Sequence, residues 1–394
     1  QIGPTDPPQR MCRPPIQGMV NQMAQQPSFQ HLALQSSDVS TETFEFMNPA
    51  LAHIVERRNS EKVSMAEHEP AHQRPAFEES EVEDFSSFSQ TSSHIHAREL
   101  DFGEFSVLGQ GAVGVVYKAK FNNIPVAVKV LKDDAKLDSD FSIAAADFKQ
   151  ELSVVSILPN HPNIVSFLGA SVAENDQGDI LPMLIFEVVG GGSIDRLFRT
   201  KSLGASQWKP PPALALSWCH QLSLAVEFLH TCETPVAHRD IKLANLLVSE
   251  DLQTLKIADF SLALHLHQEE LGDCAGSLRF MAPEVHSLKG KSSYALDKAD
   301  IYSAAITMWC LLHGSCPFPA MHDSQSVPPA IRFGVRPFIK RDHWGMRHVL
   351  QQGWHEDPLQ RPDALEIAAQ TAQALKKFQR KPWSSLKDLF STKK

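Results

Sequence analysis

Two features of this chain have the residue types and spacing to handle phosphate. The first, Gly109-Gln110-Gly111-Ala112-Val113-Gly114, lies between two runs rich in β-branched and aromatic residues. Glycines let a backbone approach phosphate oxygens and present N–H donors with no side chain in the way. The G-x-G-x-x-G spacing alone also fits a dinucleotide site or a plain hairpin. A dinucleotide fingerprint, however, needs its glycines to open a helix, whereas Val115-Val116-Tyr117 continues as a strand. The second feature is Lys129, inside the apolar run Val126-Ala127-Val128-Lys129. Such a lysine is either an edge residue whose ammonium reaches water or a buried cation that needs an anionic partner. Phosphates plus a carboxylate would supply one, and Glu151, on the helical pattern that follows, is the natural carboxylate.

Downstream come His238-Arg239-Asp240-Ile241-Lys242-Leu243-Ala244-Asn245, then Ile257-Ala258-Asp259-Phe260, then Met281-Ala282-Pro283-Glu284. With these motifs in this order the chain resembles the protein kinase family, over about residues 105–377. Finer features resemble the tyrosine-kinase-like group of serine/threonine kinases. They are His161-Pro162-Asn163-Ile164-Val165, Phe280 to Val285, Asp300-Ile301-Tyr302-Ser303 and Gly334-Val335-Arg336-Pro337. The resemblance implies an α+β, bilobal protein kinase fold, with a small β-rich N-lobe carrying one helix and a larger, mainly helical C-lobe. It also implies transfer of the γ-phosphoryl of ATP to Ser/Thr hydroxyls of proteins in intracellular signalling, with Mg2+. The alternative is a catalytically weak pseudokinase that serves as a nucleotide-binding scaffold.

Roles follow residue by residue from that resemblance. Lys129, held by Glu151, clamps the α- and β-phosphates of ATP, and Asp259 and Asn245 ligate magnesium. Asp240 receives the substrate hydroxyl, and Lys242 neutralises charge on the γ-phosphate in flight. Lysine two positions after Asp240 matches serine/threonine kinases. Gly109, Gln110, Gly111 and Gly114 cover the phosphates. Phe186 guards the pocket behind adenine, Glu187 and Val189 offer backbone groups to its edge, and Val116, Ala127 and Leu247 sandwich the ring. Ser193 falls near the ribose, and Ser277 is aligned with a hydroxyl that bonds the catalytic Asp and Lys. Supporting pairs are Glu284 with Arg361, and Asp300 with the His238-Arg239 backbone. Val155, Phe167, His238 and Phe260 form a candidate column between the lobes.

Two departures matter. Ser261 stands where the family usually has glycine after Asp259-Phe260, which predicts retained catalysis with fewer excursions to an inactive arrangement. Between Asp259 and Glu284 there is neither Thr nor Tyr, although Arg239 usually pairs with a phosphorylated residue in that segment. Glu269, Glu270 or Asp273 is the candidate replacement; the other reading of that stretch is a solvated acidic loop.

The elements that must hold these residues are readable from periodicity. Strands are expected at 105–108, 115–119, 126–131, 164–168 and 183–189. Helices are expected at 148–158, 214–230, 300–313, 343–353 and 364–378. Residues 1–98 are rich in Gln, Pro, Ser and Glu and read as largely disordered. Asn48-Pro49 could cap a short helix there, either transient or partner-docking. The kinase domain is expected over 99–377, with an N-lobe at about 99–189 and a C-lobe at 190–377.

The chain has 394 residues and a net charge of −9. That charge argues against a nucleic-acid partner or a strongly basic membrane binder. It is distributed as 13 acidic against 7 basic side chains in residues 1–98, and 1 against 7 in residues 376–394. The basic tail, 378–394, carries Trp383, Leu386, Leu389 and Phe390, compatible with weak contact to a membrane or back to the domain, or with fraying. The remaining acidic middle mildly favours basic peptide substrates. Six scattered cysteines read as free thiols in a reducing compartment, and no run approaches a transmembrane span. The expected location is therefore cytoplasmic.

Overall fold

The computed structural model describes residues 94–110, 114–131, 148–174, 180–202, 208–266, 276–287, 294–321, 324–339 and 345–380. The possible helix near Asn48, Gly111 of the glycine-rich turn, the acidic stretch containing Glu269, Glu270 and Asp273, and the tail after Arg380 lie outside the described residues.

Strands β1 (Leu100–Gln110), β2 (Gly114–Phe121), β3 (Ile124–Leu131), β4 (Phe167–Glu174) and β5 (Ile180–Glu187) form one antiparallel sheet ordered β1-β2-β3-β5-β4. The strand period of two sorts its side chains. Val115, Tyr117 and Ala119 of β2 and Val126, Val128 and Val130 of β3 are buried together in one apolar cluster. The alternate positions point the other way, so Val116 pairs across from Lys129 while Ala127 stands two residues before it. Phosphate-handling and adenine-facing candidates therefore share one face because the valines claim the other.

Helix α1 covers 148–155 of the described residues and buries Phe148, Leu152, Val154 and Val155. The strand expected at 164–168 forms later. Ile164 makes an isolated parallel bridge to Ile257, and β4 begins at Phe167. Its Gly169-Ala170-Ser171 centre has little strand propensity and is set by pairing with β5. Ahead of β1, Ile95 donates its N–H to Ala170 O (2.9 Å) and is buried, covering the outer edge of β4.

The C-lobe is built from α2 (Ile194–Lys201), α3 (Pro212–Thr231), α4 (Leu296–His313), α5 (Val327–Arg332), α6 (Met346–Gly353) and α7 (Ala364–Gln379). Pro212 opens α3 at the first helical position, where its missing N–H costs nothing. Nearly all of α4 is buried, which makes it the central post of the lobe. It ends at Gly314 (φ 63°), where a Cβ would stand 2.8 Å from Trp208 O; only glycine fits that left-handed cap. A capping box of Asp363 and Glu366 starts α7. Short strand pairs β6 (Val236–Ala237) with β9 (Leu264–His265), and β7 (Leu246–Val248) with β8 (Leu255–Ile257), carry the loops between them.

The expected Glu284–Arg361 pair is present and bidentate, at 2.6 and 2.9 Å. Arg361 is 3% exposed, also donates to Lys298 O and His355 O, and lies over the Tyr302 ring. Arg361→Ala removes one member of a buried pair and leaves Glu284 uncompensated, so it should cost roughly 3–5 kcal/mol of stability. Urea unfolding checks this; a loss below about 1 kcal/mol contradicts it.

Candidate active site

Three elements converge on the ammonium of Lys129. From β3, its Nζ lies 2.6 Å from Glu151 Oε2 on α1 and 2.8 Å from Asp259 Oδ1 beyond β8. Burial opposes the charge on Lys129, but the two carboxylates outweigh it and hold the pKa above the ordinary lysine value. Burial dominates at Glu151 and pushes its pKa up despite the lysine. For Asp259 burial is again the largest influence, yet Lys129, with help from the Ser261 hydroxyl, draws the pKa down. The Asp259 side chain is 40% exposed, opening to the cleft that the other two close.

Asp259 has φ 68°, a left-handed backbone that a non-glycine residue adopts only when its surroundings dictate it. The next residue, Phe260, is 1% exposed, in the core that includes Val155, and its ring is 5.0 Å from that of His238. Phe167 packs against the same core, so the four residues expected to link the lobes do meet. Ser261 is not among the described residues with positive φ, so serine is accommodated here without the freedom of glycine. Ser261→Gly should increase binding of inhibitors selective for the arrangement with Phe260 flipped outward, measured as a lower Kd; an unchanged Kd contradicts the reading.

The catalytic-loop candidates lie in the turn between β6 and β7. Asp240 Oδ2 accepts from Lys242 Nζ at 2.6 Å and from Asn245 Nδ2 at 3.1 Å. Asn245 Nδ2 also donates to Asp240 O (3.0 Å), which fixes the amide and turns its Oδ1 away from Asp240. Lys242 donates to Ser277 Oγ at 2.9 Å, as expected. Among the described residues Asp240 Oδ1 is buried and accepts no hydrogen bond. A buried carboxylate oxygen left this way awaits a donor. Asp300 of α4 supports the turn from beneath, its carboxylate accepting from His238 N (2.7 Å) and Arg239 N (2.8 Å). His230 contacts the same carboxylate at 3.0 Å.

The adenine-facing candidates Val116 and Leu247 are half-buried and Ala127 is buried, and none belongs to the apolar cores. Beside them, Glu187 N donates to Ser166 O (3.0 Å) and Gly192 N to Val189 O (3.2 Å). A Cβ on Gly191 would stand 2.5 Å from Ser249 O, so this linker lies directly on the β7–β8 backbone. Ser193 is the N-cap of α2, with Oγ accepting from Arg196 N. One partner had gone unread in the sequence. Lys256 of β8 donates to Glu187 Oε1 (2.7 Å), which also accepts from Ser166 N. Burial raises the pKa of Glu187, but Lys256 and Ser166 reverse it, and the carboxyl sits below its ordinary range. Strand alternation around Lys256 was the signal available.

The residues present fit a nucleotide with a divalent cation. The donors are a carboxylate and an amide oxygen, Asp259 and Asn245, and a hard cation of this kind takes few protein oxygens when phosphates supply the rest. A Cβ on Gly109 would meet no atom of the described residues within 4 Å.

Comparison with known families agrees with the geometry: residues 102–372 match the protein kinase domain. The chain belongs to the protein kinase family. It is 32% identical to the serine/threonine-protein kinase STY46 of Arabidopsis thaliana, over 72% of this chain and 45% of that protein. It is 30% identical to the seven transmembrane domain-containing tyrosine-protein kinase 1 of Dictyostelium discoideum, over 68% and 37%. Human mitogen-activated protein kinase kinase kinase 11 is 29% identical, over 72% and 33%. The chain thus spans less than half the length of these three relatives. The resemblance to tyrosine-kinase-like serine/threonine kinases stands. Among the described residues no helix is long and apolar enough to cross a membrane.

Proposed function

We propose that this protein is an ATP- and Mg2+-dependent serine/threonine kinase acting on proteins in the cytoplasm, with a mild preference for basic substrates. The observation that carries the reading is the unbroken chain Glu151–Lys129–Asp259 beside Asp240, whose Oδ1 is buried and unpaired among the described residues. Bound MgATP supplies the phosphoryl group and part of the charge neutralisation. Lys129 holds the α- and β-phosphates, with Glu151 fixing its ammonium. Asp259 and the Asn245 Oδ1 hold the cation. Asp240 accepts the proton of the incoming hydroxyl, and Lys242, tied to Asp240 and Ser277, neutralises charge on the moving phosphoryl. The Glu187 carbonyl and Val189 N–H receive the adenine edge, with Val116, Ala127 and Leu247 against its faces and Ser193 near the ribose. Gly109, Gln110, Gly111 and Gly114 cover the phosphates.

The catalytic unit is 99–377, in two lobes meeting near residue 190, with 1–98 and 378–394 as appendages. Lysine at position 242 and the serine/threonine kinases among the relatives support Ser/Thr acceptors. Incubation with ATP and a generic basic protein tests this: phosphoserine or phosphothreonine is expected. Nucleotide binding without any transfer would instead favour the scaffold.

A further inference from the structure

Arg239 sits between two fixed points. Its backbone is left-handed (φ 65°), an arrangement costing about 1–3 kcal/mol that persists only where the surroundings impose it. Asp300 secures the main chain, as described. The guanidinium reaches elsewhere: Nε donates to Tyr294 Oη and Nη1 to Leu262 O, both at 3.3 Å. Tyr294 lies two residues before α4, and its ring packs against Ala237 of β6, Leu264 of β9 and Leu296 of α4. One tyrosine therefore packs against the cluster that joins the strand that feeds the catalytic turn, the strand that follows Asp259, and the start of the central helix. Its hydroxyl meets the side chain immediately before Asp240.

We infer that Tyr294 is a positioning residue for Asp240, its hydroxyl anchoring the Arg239 guanidinium to the start of α4. This rests on the kinase reading of the site and adds a positioning residue to it. The anchor belongs to the helical core and not to the segment at 267–275, so it needs no modification to form. A hydroxyl holding Arg239 acts through the geometry of Asp240 and leaves the nucleotide contacts of Lys129 and the 187–193 linker untouched. Its effect thus falls on kcat and not on the KM for ATP.

Tyr294→Phe keeps the ring and its packing and removes only the hydroxyl. The expected kcat is about fivefold lower, the scale of one ordinary net hydrogen bond, with KM for ATP within about twofold and Tm lowered by no more than about 4 °C. In the Arg239→Ala background the same substitution should add nothing, since the two groups act as one unit. A second readout is independent of turnover. Amide hydrogen exchange in the peptide spanning residues 236–241 should quicken about fivefold in Tyr294→Phe by the same hydrogen-bond scale. Unchanged exchange overturns the proposal, as does a kcat equal to wild type or an effect that adds to that of Arg239→Ala. If wild type shows no transfer while exchange still quickens, the anchor stands and the catalytic reading fails.

Discussion

Asp240→Asn should lower kcat by about 10²–10⁴-fold, the usual contribution of a positioned general base, while KM for ATP stays within about twofold. The expectation follows from how the two carboxylate oxygens are used. Oδ2 is committed to Lys242 and Asn245, and Oδ1 is buried and unpaired among the described residues. Asparagine matches the shape but cannot receive a proton, and its amide hydrogens face a lysine or an incoming hydroxyl. Among the described residues the Asp240 carboxylate contacts Lys242 and Asn245 and none of Lys129, Glu151 and Asp259, so nucleotide binding should survive. Steady-state kinetics with ATP and protein substrate varied separately check this. A kcat within about tenfold of wild type would contradict base catalysis by Asp240.

Asp259→Asn should have an effect of similar size by another route. Its carboxylate is the one member of the Lys129 cluster open to the cleft, and the lysine keeps it charged. An amide oxygen in its place is a poorer ligand for a hard cation. Loss of one pre-organised electrostatic contact to the transferring group costs about 10²–10³-fold. The Lys129–Glu151 pair remains, so the variant should fold, with Mg2+-dependent nucleotide affinity weakened. Titration of nucleotide with and without Mg2+ separates this from misfolding. An unchanged response to Mg2+ would remove Asp259 from the metal site.

The glycine-rich turn and the Lys129–Glu151 pair were legible from residue chemistry, and the other site candidates through family resemblance. A lysine in an apolar strand either reaches water at an edge or needs an anion, and the structure takes the second course, with Glu151 on the helix that follows as the partner. The link from Arg361 to Glu284 and that from Asp300 to the catalytic turn were readable through family resemblance, which supplies long-range pairs that periodicity lacks. Features set by tertiary pairing were not legible. The strand through Gly169-Ala170-Ser171 exists because β5 hydrogen-bonds it, and Ile95 was buried in a stretch whose composition reads as disordered. The helix Val327–Arg332 opens on Pro328-Pro329, which local rules treat first as a breaker. Tyr294 and Lys256 act across more than 50 residues, on Arg239 and Glu187, and strand alternation around Lys256 marks its side of β8 but not its partner.

The central claim is that the Lys129–Glu151–Asp259 cluster and Asp240 transfer a phosphoryl group from ATP to Ser/Thr hydroxyls. Transfer of label from γ-radiolabelled ATP to a generic protein substrate, followed by phosphoamino-acid analysis, tests it most directly when wild type is run beside Asp259→Asn. Label in phosphoserine or phosphothreonine with wild type, and at background with Asp259→Asn, is the predicted result. Equal labelling by both proteins would contradict it.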